Sequence, residues 1–118
     1  MQDIHSREEI KHLVDSFYKK VKEDTLLAPV FAHVDWPHHL PIMYNFWSSI
    51  LLGDMSYNGS PLSKHMGLNI TSEHFTRWLE LFMETVNTEF KGPVAEEAKS
   101  RAQTIANLFQ HKMGLMKT

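Results

Sequence analysis

Cysteine is absent from this 118-residue chain, which removes disulfides, thiolate metal sites and a cysteine nucleophile from consideration. Long apolar runs are missing as well, and none approaches the roughly 20 residues needed to cross a bilayer. The opening MQDIHSREEIK is polar from its second residue and lacks the apolar core of a signal peptide, so a cytoplasmic protein is expected. Neither sign of charge dominates: 12 Lys and Arg stand against 14 Asp and Glu, and the basic residues are scattered. No basic stripe is available for a phosphate backbone or a lipid surface, so nucleic acid and membrane are not expected as partners. The chain has no Gly-rich phosphate loop, no G-x-S-x-G and no H-E-x-x-H, and the Glu-x-x-His pattern of bundle di-metal sites does not occur in duplicate. Hydrolase and phosphoryl-transfer readings therefore fall away.

What the chain does have is 42% hydrophobic content arranged with helical period, enough for one domain over residues 1–118. Ser6 followed by Glu9 reads as a capping box, and Ile10, Leu13, Val14, Phe17 and Val21 repeat at helical spacing down to Asp24. TLLAPVFAHV predicts one or two short turns. In DWPHHLPIMYNFWSSILLG, Asp35 is a candidate N-cap, Pro37 suits a first turn and Gly53 a C-terminus. Pro41 implies either an irregular first turn or a regular helix starting near His39 and Leu40. From there His39, Met43, Phe46 and Ile50 form one stripe, with Leu40, Tyr44, Trp47 and Leu51 beside it, so burial over a wide arc is expected. Residues 53–70 hold three of the five glycines and predict a loop with a single turn around Leu62 to Met66. Thr71 or Ser72 then caps a helix carrying Phe75, Trp78, Leu79, Phe82, Val86 and Phe90. After Gly92, Pro93 opens a last helix with Val94, Ala98, Ala102, Ile105 and Phe109 inward, closing near Gly114. No segment alternates with period two, and the class is all-α.

Chemistry must then come from histidine and aromatics. His5, His12, His33, His38, His74 and His111 lie where solvated side chains are expected. His39, on an apolar stripe, and His65, in the loop before an amphipathic helix, stand apart, each readable either as a ligand or as a satisfied structural histidine. Tyr18 and Trp78 fall at the edges of their apolar faces. They read either as core-rim packing or as a phenol O–H and an indole N–H directed at a small polar ligand in an apolar pocket.

Taken together, LVDSFYKKVKEDTLLAPVF, HHLPIMYNFWSSILLG, YNGSPLSKHMGLNITSEHFTRWLELF and RAQTIANLFQHKMG resemble the truncated haemoglobins, in particular their third group, from about Ile10 to Gly114. The resemblance implies a shortened globin, two helices crossed over two, around a non-covalent b-type haem. It makes His65 the proximal iron ligand and matches Tyr18, His39 and Trp78 to distal positions that stabilise a bound ligand. Phe31 matches the phenylalanine that packs on the haem near the first loop. Glycine pairs typical of the first group are not evident.

Phe31, Met43, Phe46, Trp47, Phe75, Phe82, Ile105 and Phe109 are the candidate walls for such an apolar disc, and Tyr57 and Lys64 are candidate partners for its propionates. The expected ligands are O2, NO, CO or peroxide at an iron that is five-coordinate or reversibly six-coordinate through His39. Two hydrogen-bond donors beside bound O2 imply slow release. That favours NO dioxygenation or peroxide reduction, fed by an unidentified electron donor, over oxygen transport. The rivals are a non-haem metalloenzyme, using His38 or His39 with His65 or His74 and a carboxylate, and a cofactor-free helical interaction module.

Overall fold

The computed structural model describes residues 2–54 and 70–112. Four helices follow one another: α1 (Arg7–Glu23), α2 (Trp36–Leu52), α3 (Ser72–Glu89) and α4 (Pro93–Lys112). No strand occurs among the described residues, as the missing period-two pattern implies. The turn around Leu62 to Met66 and the close near Gly114 lie outside the described residues.

α1 begins after Ser6, but the capping box takes another form. The Glu9 carboxylate accepts the backbone N–H of His5 at 2.6 Å instead of that of Ser6, so the N-terminal segment is held one residue further out. The apolar stripe of α1 is fully inward, with Ile10, Leu13, Val14, Phe17, Tyr18 and Val21 all buried. At its end Asp24 accepts the N–H groups of Leu26 and Leu27 at 3.2 and 3.0 Å, which turns the chain into the short hydrogen-bonded turns of residues 25–33.

Pro41 does not delay α2. The helix runs continuously from Trp36, with Pro37 in its first turn and Pro41 inside it, and closes at Gly53 in the left-handed region at φ +70. The wide arc of burial is only partly realised: Met43, Trp47 and Ser48 are buried, whereas Phe46, Ile50 and Leu51 are half-buried.

α3 starts at Ser72 with Thr71 as N-cap. In α4, Ala98, Ala102 and Phe109 are buried as expected, whereas Val94 and Ile105 are not. The inward face of this helix is a row of small residues, Ala95, Ala98, Ala102 and Ala106, ending in Phe109, while Val94 and Ile105 sit at the flank. Small side chains let two helix backbones approach closely, and α3 and α4 pair as a hairpin joined through Lys91 and Gly92. α1 packs on both α2 and α3, which gives the two-over-two arrangement.

The N-terminal segment locks this hairpin. Asp3 accepts the N–H groups of Val94 and Ala95 at 2.9 and 2.7 Å, capping α4 from 91 and 92 residues away, and that of Ile4 at 2.8 Å. Burial opposes ionisation of Asp3, but the three backbone donors outweigh it and hold its carboxyl below the ordinary value. Gly92 passes so close, at φ +142, that a Cβ there would stand 2.5 Å from the Asp3 Cγ.

Candidate functional site

Where the two helical pairs cross, an apolar cleft opens with about 680 Å3 of empty space, mouth included. Every described element contributes to its wall: Tyr18 from α1, Leu27, Val30 and Phe31 from the turns, Met43, Phe46 and Trp47 from α2, Ile70, His74, Phe75 and Trp78 from α3 and the segment before it, and Ile105, Ala106 and Phe109 from α4.

Most of the residues expected for such a wall are brought together here. Phe31, Met43, Phe46, Trp47, Phe75, Ile105 and Phe109 all line the cleft. Phe82 does not. Its ring is 1% exposed and stacked between Trp47, at 4.8 Å and 21°, and Trp78, at 5.8 Å and 16°, so it backs the wall from behind. Phe17 meets both Phe82 and Trp78 edge-on, at 5.2 and 5.5 Å. The tryptophans that face the cleft are thus held by a buried aromatic layer, which fixes their planes.

The polar end of the cleft is formed by Tyr18 and Trp78. Tyr18 is 4% exposed, and its hydroxyl lies near the Trp78 indole, which opposes the effect of burial on the phenol. An indole N–H can only donate and a phenol O–H both donates and accepts, so this end of the cleft offers two donors. Burial pushes the Tyr18 phenol well up from its ordinary value, against the opposing effect of the indole, so the hydroxyl stays protonated and remains a donor. Next to Trp78, Arg77 Nε donates to Asp24 Oδ1 at 2.7 Å. Burial works against the Asp24 charge, but Arg77 and the turn N–H groups outweigh it and keep the carboxyl below the ordinary value. The ion pair ties the end of α1, and with it Leu27, to the face of α3 that carries Trp78.

His39 sits behind Tyr18. Its ring meets Tyr18 at 5.7 Å and Trp36 at 5.6 Å, both edge-on, and it is not part of the cleft wall. Trp36, which sequence reasoning passed over, is stacked on Phe31 at 5.9 Å and tilted against Tyr18 at 5.2 Å, with Lys22 Nζ 4.6 Å above its ring. His39, Trp36 and Phe31 therefore form a cage around the outer face of Tyr18.

His74 corrects a second expectation. It is half-buried on the cleft wall, not solvated, and its Nδ1 accepts the Thr71 backbone N–H at 2.9 Å. The signal was present in the sequence, because Thr71-x-x-His74 is the spacing of a capping box with histidine in the place of Glu or Gln. His5, His12, His33, His38 and His111 are exposed as expected. His65, Tyr57 and Lys64 lie outside the described residues. No group of three His, Cys, Asp or Glu converges into a metal site among the described residues, and none of the described helices is long and apolar enough to cross a membrane.

The wall composition fits a haem: a broad apolar slot with aromatic faces, one hydroxyl donor at depth and an imidazole on the wall. Comparison with known proteins points the same way. The family described as bacterial-like globin matches residues 2–114. The group 3 truncated haemoglobin ctb of Campylobacter jejuni is 36% identical over 115 residues, covering 92% of this chain and 91% of that protein. The group 1 truncated haemoglobin GlbN of a Nostoc species is 31% identical over 100 residues, covering 84% and 83%. The crystal structure of the group III truncated haemoglobin from Campylobacter jejuni superposes with a TM-score of 0.87 at 37% identity, covering 99% of this chain and 97% of that one.

Proposed function

The chain belongs to the bacterial-like globin family of truncated haemoglobins, and on that premise we propose that it holds a b-type haem in the cleft and stabilises a diatomic ligand there for redox chemistry. The observation that carries this reading is the Tyr18–Trp78 pair at the polar end of an otherwise aromatic and aliphatic cleft. When bound, the haem iron supplies reversible gas binding and the one-electron chemistry that accompanies it.

The chain's own residues have separable tasks. Phe31, Met43, Phe46, Trp47, Phe75, Ile105 and Phe109 take up the faces of the disc and keep water from it. The Tyr18 proton remains in place to alkaline pH, with the Trp78 indole N–H beside it as a second donor. A neutral phenol donor in a low-dielectric pocket would favour a diatomic ligand that carries partial negative charge and would slow its release. His65 is the proposed axial ligand. His39, packed against Tyr18 and Trp36, would leave His65 as the histidine that holds the haem.

Slow release suits a protein that converts its ligand better than one that delivers it. NO dioxygenation to nitrate or peroxide reduction, with electrons from a separate donor, is therefore the proposed activity, with NO, CO and peroxide as further ligands. The test is reconstitution with haemin, followed by measurement of the O2 dissociation rate and of NO consumption by the oxygenated protein. Slow O2 release with rapid, stoichiometric nitrate formation is expected. Fast O2 release and inert behaviour toward NO would contradict it.

A further inference from the structure

We propose that His74 is a hydrogen-bond donor to a propionate carboxylate of the haem, a positioning role that rests on the haem reading above. The argument begins with the tautomer. A backbone N–H only donates, so the 2.9 Å bond from Thr71 N places a lone pair on His74 Nδ1. The neutral ring then carries its proton on Nε2, which makes that atom a donor and takes from it the lone pair an iron ligand needs. The cap also holds the ring in one orientation at the first turn of α3.

The second observation is where this donor stands. Among the described residues of the cleft wall, Tyr18, His74 and the indoles of Trp47 and Trp78 carry side-chain N–H or O–H groups, and Trp47 is buried whereas His74 is half-buried. His74 precedes Trp78 by four residues, so the two share one face of α3 about 6 Å apart along its axis. Two of these groups stand at different depths. One is the buried Tyr18 hydroxyl, and the other is a half-buried imidazole one helical turn nearer the start of α3.

A haem has the matching division. Its macrocycle is apolar, while two carboxylates leave a single edge, and a carboxylate pressed against apolar wall without a donor is strongly disfavoured. An N–H donated to a carboxylate is charge-assisted and about twice as strong as a neutral pair. Phe75 and Phe109, whose rings meet edge-on at 6.3 Å beside His74 on the same wall, supply apolar contact for the adjoining part of the disc. His74 thereby sets which edge of the haem faces the start of α3.

The test uses two variants, each reconstituted with haemin and with its dimethyl ester, in which both propionates are blocked. His74→Glu keeps a residue that serves the capping box and replaces the donor with a like-charged acceptor. His74→Phe keeps an aromatic wall without either. Loss of cofactor to an excess of apomyoglobin is followed by absorbance, with far-UV circular dichroism to verify helix content. Haemin is expected to leave both variants roughly tenfold faster than the parent, with no such difference for the ester and no change in Soret position. Equal loss rates, or the same acceleration with the ester, would overturn the role of His74 while leaving the haem reading intact. A parent chain that takes up no haemin at all would overturn both.

Discussion

The Trp78 indole stands beside the buried Tyr18 hydroxyl at one end of the cleft, so the two groups expected to share a ligand are brought together on the same wall. Tyr18→Phe and Trp78→Phe should each speed O2 dissociation. Removing a buried hydrogen bond to a partly charged partner costs about 1.5–3 kcal/mol, or roughly 10- to 150-fold in rate. Stopped-flow displacement of O2 by CO reads this directly, and unchanged rates in both variants would remove the argument for ligand stabilisation. Because burial raises the Tyr18 phenol above its ordinary value, the parent rate should show no inflection near pH 10.

Two histidines separate the ligand assignment from the anchoring one. His65→Ala is expected to abolish the imidazole-ligated ferrous spectrum, and adding free imidazole should restore it. His74→Ala is expected to leave that spectrum in place while weakening retention of haem. The opposite pattern in electronic absorption would move the axial ligand to α3.

Acid should loosen the ends of the cleft wall through two carboxylates. Asp24 and Asp3 both titrate lower in the folded chain than in the unfolded one. Their stabilisation is therefore complete above the unfolded value, about 3.9, and is lost as pH falls toward the folded one. Urea unfolding of Asp24→Asn should show a lower midpoint than the parent at pH 7 and convergence with it below about pH 4. A difference that stays constant with pH would mean that the Arg77 pairing contributes nothing.

Gly92→Ala should destabilise the chain by at least about 2 kcal/mol. The alanine would be held at φ +142, with its Cβ driven into the carboxylate that caps α4. Chemical denaturation measures this, and a neutral result would show that Asp3 can leave α4 without cost.

Much of this was legible in the chain itself. Pro37, Gly53, Thr71 and Pro93 mark helix ends because their backbone chemistry is local, and the stripes of α1 and α3 name core residues directly. Three features were not legible, each because it depends on distant partners. Asp3 finds its donors 91 and 92 residues away. The inward face of α4 is chosen by close approach, which favours alanines over the larger Val94 and Ile105 that dominate a periodicity reading. Phe82 shares a stripe with Phe75 and Trp78 yet lies in a second layer, because the rings of Trp47 and Trp78 close over it. His74 was legible in principle, through its capping spacing from Thr71 and its four-residue step to Trp78.

The central claim is that the cleft between the helical pairs holds a haem ligated by one histidine. Absorption spectra of the purified protein with haemin, recorded in the ferric, ferrous and ferrous-CO states, test it most directly. The account predicts stoichiometric uptake, a five-coordinate imidazole-type ferrous spectrum and a sharp shift of the Soret band with CO. A colourless protein that takes up no haemin, or a ferrous form already closed by two histidines and indifferent to CO, would contradict it.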